Sequence, residues 1–408
     1  MQIVDAIDIA LALLLAGAAF QLVSSSTGVK PPAFRQMVVR GLGLHMVGAV
    51  ARFLVNVLVY GTGDSFRYFR AGSAIAEELR SGVTEAFFGS GQQWGTAFVE
   101  RVTAIVLLVF GGNFITASLL FAMVAYGGLV LMALALARSY PPGARWQRGV
   151  AMVLYWPSLC FWPSTIGKEA LIILAVGLVV FGWHGNGRTW RPMPLFVGLV
   201  LSLFIRPHIA MMLALCLASA EWLAPVARWS AAKVLRGAVL GAVGVAAVLV
   251  SLEQLGVDAQ IDAMAQFAQE RAGRTQTGGS QIQAFSGPAV LPMAFVNVLL
   301  RPFVWEVRNP VMLVSAAELI VMWWLIWKSR EAGPAMFSAW RSSRLLLFAV
   351  PAACVLIVFY GAFVSNLGII ARQRVVVLPL VFMFIDLTPA VIRANTRRNG
   401  PQKRIAVR

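Results

Sequence analysis

The polar side chains that interrupt the apolar runs of this chain are of the types that bind anions and exchange protons. An ionisable side chain costs free energy inside a membrane and is therefore a functional candidate there. Arginine holds phosphate oxygens in a planar fork, and histidine exchanges protons near neutral pH. Together these types predict a site for a charged, lipid-linked substrate. Ten such residues stand between the apolar runs or at their ends: Asp64, Lys168, Glu169, Arg206, His208, Arg301, Glu306, Asn309, Arg372 and Arg374.

Residues 156–169 (WPSLCFWPSTIGKE) are the most distinctive of these segments, with a Pro-bracketed turn before the start of a new helix. Free backbone N–H groups at a helix N-terminus attract anions. Lys168 adds a positive charge at that place, so the turn is predicted to bind phosphate oxygens of the substrate. An ordinary capped helix start is the alternative. Glu169 is assigned to the same site, either as the partner of Lys168 or as a base.

The string FIRPH, residues 204–208, brings a guanidinium and an imidazole to a helix junction. Arg206 is predicted to bind phosphate because its fork matches the geometry of that anion. His208 is a candidate for proton transfer, although a lone histidine is more often a structural residue.

Residues 301–310 (RPFVWEVRNP) collect two arginines, an acid and an amide directly before a helix. Arg301, Arg308 and Asn309 are therefore assigned to substrate binding. Glu306 is a candidate catalytic carboxylate in the same segment.

Arg372 and Arg374 are expected to open the last helix of the bundle. A cation at a helix N-terminus is unfavourable with the helix dipole, so two of them predict an anion between their side chains. The alternative is that both arginines snorkel to the membrane interface.

Asp64 directly follows the second apolar run, and Tyr68 comes one helical turn later. A carboxylate at the membrane surface suits a general base that deprotonates a sugar hydroxyl. Asp64 is thus the first choice of base, Glu306 the second, and Tyr68 is assigned to substrate binding. Arg52, near the middle of the preceding run, is a candidate for an ion pair or for the same cavity.

Membrane helices must position these residues. Hydrophobic residues make up 59% of the 408 residues and charged residues only 12%, whereas about a quarter of a soluble domain is charged. Strand-like alternation is absent from the sequence, so the predicted fold class is all-α, a polytopic transmembrane helical bundle. The three cysteines lie in apolar runs with no metal-ligand spacing. We therefore expect no metal, no other cofactor and no disulfide.

The distribution of charge predicts the topology. The net charge of +17 suggests nucleic acid, but 21 of the 34 Lys and Arg residues fall in six short segments between or after the apolar runs. Short basic segments face the cytoplasm in membrane proteins. This pattern predicts a cytoplasmic C-terminus, puts the ten polar residues on the outer face, and argues for a lipid bilayer rather than nucleic acid as the partner.

Eleven spans follow from this assignment, within a range of ten to thirteen because the apolar stretches 97–111 and 289–304 are short. Residues 1–392 form one transmembrane domain, the first run being a retained helix, and residues 393–408 form a basic cytoplasmic tail. Two long outer loops, about 62–112 and 255–309, contain amphipathic stripes at 73–88 and 261–270 that predict interfacial helices. The predicted spans are 2–23, 41–61, 113–137, 149–163, 167–184, 194–206, 209–226, 235–254, 310–327, 343–364 and 375–392.

The strings GDS at 63–65, FWPSTIGKEAL, FIRPH, LLRPFVWEVRN and NLGIIARQR occur in this order over roughly residues 60–375. They resemble the bacterial O-antigen-polymerase-like proteins, of Wzy and EpsG type. The resemblance implies a glycosyltransferase in the bacterial inner membrane that joins polyprenyl-diphosphate-linked oligosaccharides into surface or exopolysaccharide at the outer face. It also implies that Arg206, Arg301, Arg372 and Arg374 hold the diphosphate, and that other polysaccharide-assembly membrane proteins are partners.

Two other functions remain open at this point. One is a glycosyltransferase of the GT-C type that uses a polyprenyl-monophosphate sugar, with Asp64 as its catalytic carboxylate. The other is a transporter or flippase of lipid-linked glycan. A flippase usually has two related halves and charges deep in a central cavity, whereas the charges of this chain are predicted at one face.

Overall fold

The computed structural model describes residues 32–61, 63–89, 93–184, 191–224, 231–255, 281–282, 289–330 and 336–399. Helices account for nearly all of these residues. The predicted span 2–23, the stripe 261–270 and residues 400–408 of the tail lie outside the described ranges.

The helices follow the apolar runs of the sequence. A π-helical turn, Val55–Tyr60, extends the first of them, and 3₁₀ turns lie at Val304–Glu306 and Arg374–Val376. In chain order the α-helices are α1 (Pro32–Leu54), α2 (Asp64–Arg80), α3 (Glu85–Phe88), α4 (Thr96–Phe110), α5 (Phe114–Ser139), α6 (Gln147–Tyr155), α7 (Pro157–Phe161), α8 (Lys168–Trp183), α9 (Pro192–Ile205), α10 (Pro207–Leu223), α11 (Ala231–Leu255), α12 (Val290–Leu299), α13 (Pro310–Lys328), α14 (Met336–Ser342), α15 (Arg344–Phe363), α16 (Leu367–Gln373) and α17 (Leu378–Asn399).

Five helices of the described part of the chain are long and apolar enough to cross a membrane. All five overlap predicted spans, and the chain is thus an all-α protein with helices suited to a bilayer. The other predicted spans within the described ranges are helical, and eleven stays the predicted number of spans. The five are Pro32–Tyr60, Phe114–Ser139, Pro310–Lys328, Arg344–Phe363 and Leu378–Asn395.

The predicted span 149–163 is two helices rather than one. α6 ends at Tyr155 and α7 begins at Pro157, with Trp156 in extended conformation between them. Proline has no N–H to continue the α6 hydrogen bonds, and it disfavours helical geometry in the residue before it. The break turns the chain so that it can reach α8 through residues 162–167.

The stripe predicted at 73–88 has different bounds and a protein partner. Its helix, α2, begins at Asp64 and ends before Ser81, and Gly82 has a φ of 85°. A Cβ at Gly72 would lie 2.8 Å from the Thr103 side chain of α4. The small residue thus lets α2 pack closely against α4, and the prediction that the stripe continues through Val83 is wrong.

Helix α8 is the central element and packs against α5 and α9. Glycines allow the close approach: a Cβ at Gly128 would lie 2.4 Å from the carbonyl oxygen of Ile173, and one at Gly177 would lie 2.4 Å from that of Gly128. Small residues at helix crossings serve the same purpose in other membrane proteins.

The two ends of α8 have different surroundings. Lys168 begins the helix, and Trp183 ends it about 22 Å away at 1.5 Å per residue. At the Trp183 end, the Trp183 indole donates to the carbonyl oxygen of Arg344 at 3.0 Å. The buried Glu221 pairs there with Arg344 at 2.5 Å and with Arg236 at 2.7 Å. The Lys168 end holds most of the predicted site residues.

Candidate functional site

Glu169 is the centre of a buried ion-pair network at the Lys168 end. Its Oε1 lies 2.7 Å from Nη2 of Arg206, and its Oε2 lies 2.8 Å from Nη2 of Arg372. Only 3% of Glu169 is exposed. Both carboxylate oxygens therefore hold a guanidinium, and neither arginine is an isolated buried charge.

Three elements bring this network together. Glu169 is the second residue of α8, Arg206 joins α9 to α10, and Arg372 lies in the last turn of α16.

This network corrects two predictions from the sequence. Glu169 does not pair with Lys168, because its oxygens are taken by the arginines. Arg372 does not open the last helix; near a helix C-terminus a cation is favoured by the dipole, so the dipole argument for an anion fails.

Asp64 is the accessible carboxylate of this group. Its Oδ2 lies 3.1 Å from Nη1 of Arg372, and 48% of its side chain is exposed. Tyr68, one turn later on α2, is buried. Burial and the nearby Asp64 and Glu169 raise the pKa of the Tyr68 phenol, so it stays a hydroxyl group at neutral pH. Asp64 thus lies beside Arg372, and Tyr68 is within electrostatic range of both; their roles as base and substrate-binding residue stay predictions.

Lys168 lies half-buried beside the network. Its Nζ is 3.5 Å from the position of a Cβ at Gly95, and it is within electrostatic range of Asp64, Glu169 and Arg206. Among the described residues its ammonium has no hydrogen-bond partner. The N–H of Gly95 donates to the carbonyl oxygen of Phe204 at 2.7 Å, which ties this loop to the Arg206 junction.

Arg52 is a further cation that the sequence analysis held only as a candidate. Its guanidinium lies 4.8 Å from the ring centroid of Trp162 and 5.2 Å from that of Phe161. It is 6% exposed, and its Nε and Nη1 have no hydrogen-bond partner among the described residues. Arg52 is within electrostatic range of Arg372 and Glu169, so it belongs to the same group of charges.

One face of α1 and of the π-helical turn that extends it supports the turn before α8. His45 Nε2 lies 3.1 Å from Ser164 Oγ, and Asn56 Nδ2 donates to Thr165 Oγ1 at 3.3 Å. With Arg52 they stand at i, i+7 and i+11, which is one helical face. Sequence reasoning missed this role, although three polar residues at helical spacing in an apolar run were the available signal.

Arg301 and Glu306 form a second cluster. Arg301 Nε lies 2.9 and 3.1 Å from the two Glu306 oxygens, and the Phe303 N–H donates to Oε2 at 2.9 Å. Burial raises the pKa of Glu306, but these hydrogen bonds outweigh it and hold the pKa below 4.5. Both carboxylate oxygens are occupied, which makes Glu306 a poor base.

Arg374 supports the second cluster through the backbone. Its Nε donates to the carbonyl oxygen of Val298 at 2.6 Å, and its Nη2 donates to that of Arg301. Two residues apart, Arg372 and Arg374 therefore serve different clusters. The sequence had predicted one anion between their side chains, whereas the guanidinium of Arg374 is committed to these carbonyl groups.

The remaining predicted residues lie around these clusters. His208 is partly buried and stacks on Phe359, with ring centroids 4.8 Å apart. Asn309 accepts a hydrogen bond from the Met312 N–H at 2.9 Å and thereby caps α13. Arg308 is exposed.

The first cluster carries an excess of positive charge. Arg52, Lys168, Arg206 and Arg372 stand against the two carboxylates Asp64 and Glu169, which leaves two positive charges. Donors without protein partners on Arg52 and Lys168 add capacity for an anion. Comparison of the chain with protein-family models, curated proteins and solved structures found no significant match.

Proposed function

We propose that the protein is a membrane glycosyltransferase of the polysaccharide-polymerase type. It joins polyprenyl-diphosphate-linked oligosaccharide units into a cell-surface or exopolysaccharide at the outer face of a bacterial inner membrane. The single observation that carries the proposal is the first cluster: four cations around two carboxylates at one end of an apolar helical bundle, with an accessible Asp64 at its edge.

The cations suit the leaving group of such a reaction. Negative charge builds up on the diphosphate as the bond from its oxygen to the anomeric carbon breaks. Donors fixed in place before the reaction stabilise that charge without reorganisation, which is usually the largest catalytic contribution. Arg206 and Arg372 are held by Glu169, so their guanidinium groups are already oriented.

Asp64 is the base in this proposal. It accepts the proton of the acceptor hydroxyl, whose oxygen then bonds to the anomeric carbon while polyprenyl diphosphate leaves. Glu169 and Glu306 suit the role less because arginines occupy the oxygens of both. Asp64 has one ion-pair partner and is half exposed.

The orientation is part of the proposal. The eleven predicted spans would put the Lys168 end outside and the C-terminus in the cytoplasm. The arginines at the Trp183 end, Arg236 and Arg344, support this, because basic residues accumulate at the cytoplasmic ends of membrane helices.

The test is a polymerisation assay with purified protein in vesicles and defined donors. We expect longer glycans from a polyprenyl-diphosphate-linked oligosaccharide and none from a polyprenyl-monophosphate sugar. Arg372→Ala should abolish the product, whereas Arg80→Ala, which alters an exposed arginine of α2, should leave it unchanged. Product from the monophosphate donor would favour the GT-C reaction. Passage of the donor across the vesicle membrane without bond formation would favour a transporter, and either result refutes the proposal.

A further inference from the structure

An apolar cleft of about 360 Å³ lies between α1, α7 and α13. Its walls include Val47 of α1, Phe161 and Trp162 after α7, and Val314 of α13. The cleft thus joins a helix that carries Arg52 to the turn that leads to Lys168. None of the assigned site residues lines it, so it is a separate feature of the fold.

Arg52 does not line the cleft itself but lies against two residues that do. Phe161 and Trp162 line the cleft, and the centroids of their rings lie 5.2 and 4.8 Å from the Arg52 guanidinium. Nε and Nη1 of Arg52 are buried without a hydrogen-bond partner among the described residues. Buried donors on a cation are costly to leave unpaired, so an anionic acceptor at this place would relieve the cost.

Part of the cleft opens toward the exterior of the bundle. Its rim is apolar and exposed: Leu44 is 46% exposed, Val47 66% and Val314 51%. In a bilayer such a rim faces hydrocarbon, where a lipid chain meets it without crossing water. An amphiphile with an apolar chain and an anionic head matches the cleft and Arg52 together.

Charge connects this cleft with the first cluster. Arg52 is within electrostatic range of Arg372 and Glu169. An anionic head beside Arg52 is therefore close to the cations that the proposed function assigns to the diphosphate. A free diphosphate would satisfy Arg52 but would leave the apolar cleft without an occupant.

We propose that the cleft holds the isoprenoid chain of the polyprenyl-diphosphate donor, with Arg52 binding its phosphate. The inference rests on the proposed function and adds the route of the lipid: the chain enters sideways between α1 and α13. The occupant is the donor lipid rather than a bilayer phospholipid. The first cluster has enough positive charge, besides that of Arg52, to bind a second phosphate.

The test measures binding of undecaprenyl diphosphate and of inorganic diphosphate to the full chain in phosphatidylcholine nanodiscs. Val314→Trp fills the cleft, and Leu313→Trp is its matched control, since Leu313 is the neighbouring residue, is 53% exposed and does not line the cleft. We expect Val314→Trp to lower the affinity for the lipid at least tenfold, which corresponds to the burial of about two methylene groups. The affinity for inorganic diphosphate should be unchanged.

Arg52 is tested in the same assay. Arg52→Gln should lower the affinity for both ligands by about tenfold or more. Arg52→Lys should recover part of this loss, because lysine restores the positive charge but not the planar guanidinium fork. Circular dichroism and thermal unfolding check that the variants fold. If Arg52→Gln does not fold, Val314→Trp still decides the question.

Three results would overturn the inference. Equal lipid affinity in Val314→Trp and Leu313→Trp would mean that something else, such as residues before Pro32, fills the cleft. Displacement of the lipid by an equal amount of phosphatidylglycerol would assign the site to bilayer phospholipid. Unchanged diphosphate binding in Arg52→Gln would show that Arg52 does not bind the phosphate. Lipid binding as expected with no polymer from the wild type would refute the proposed function alone.

Discussion

The carboxylate of Glu169 and the guanidinium of Arg372, 203 positions apart in the chain, meet at 2.8 Å at the Lys168 end of the bundle. Arg206 takes the other oxygen of Glu169 at 2.7 Å. One acidic residue at the start of α8 thus joins the α9–α10 junction to α16. The network both stabilises this end of the bundle and orients the two arginines.

Replacement of Glu169 tests the structural part of that statement. Glu169→Gln keeps the size but leaves the buried guanidinium of Arg206 without a carboxylate and that of Arg372 with Asp64 alone. We expect unfolding to become easier by about 3–5 kcal/mol, the usual cost of breaking a buried pair from one side. Thermal unfolding in detergent micelles measures it. Glu77→Gln is the control, because its pair with Arg80 is exposed, and an equal loss in both variants would contradict a special role for Glu169.

Replacement of Asp64 tests the base. Asp64→Asn can still hydrogen-bond Arg372 but cannot take a proton. We expect the rate of polymer formation at saturating donor to fall about 10²–10⁴-fold, the usual contribution of a general base. Binding of the lipid-linked donor should be retained. Glu306→Gln serves as the comparison, and a near-normal rate in Asp64→Asn together with loss in Glu306→Gln would reverse the two roles.

The hydrogen bonds to Glu306 in the second cluster predict that the folded protein loses stability at low pH. Arg301 and the Phe303 N–H hold the pKa of Glu306 below 4.5 in the folded protein. The unfolded state therefore binds the proton more readily, and this contribution to stability is present above pH 4.5 and is lost as the pH falls through the folded pKa. Unfolding measured from pH 7 to pH 3 should show a smaller acid-induced loss in Glu306→Gln than in the wild type. Parallel curves for the two proteins would contradict the prediction.

Two adjacent glycines of α5 test the helix packing. Gly128 has the Ile173 carbonyl oxygen 2.4 Å from the position of a Cβ, whereas Gly127 has nothing within 4 Å. Gly128→Ala must push α5 and α8 apart, and we expect a loss of about 1–3 kcal/mol, typical of an overpacked interior. Gly127→Ala gains helix propensity without a clash and should be neutral or slightly stabilising. The two variants are compared by their unfolding temperatures in one detergent, and equal temperatures would argue against the close crossing.

Membrane topology is tested by cysteine labelling in a variant without Cys160, Cys216 and Cys354. A single cysteine is then introduced at position 64 or 308. A membrane-impermeant thiol reagent added to intact cells should label this cysteine. Position 145 should be labelled only after the cells are opened, since it belongs to a basic segment. Labelling of position 64 from the cytoplasmic side alone would reverse the proposed orientation.

The helices themselves were predictable from the sequence because their signals are local. Apolar runs, prolines and basic segments mark where each helix begins and ends, and the bounds of α5, α13 and α15 agree with the predicted spans within two residues. The side-chain types at the Lys168 end were predictable for the same reason. Asp64, Lys168, Arg206 and Arg372 were recognised because polar groups are costly in an apolar run.

Only the tertiary structure decided which of these residues meet. Glu169 was expected beside Lys168, its neighbour in the chain, but its partners come from positions 206 and 372. Arg372 and Arg374 were expected to share an anion, but residues two positions apart in helical geometry do not face each other, and the two side chains reach different clusters. Arg52 joins the site through rings more than a hundred positions away. Sequence spacing reports periodicity along one helix, whereas ion pairs form between helices whose crossing points, such as Gly128 with Gly177, depend on the packing of the whole bundle.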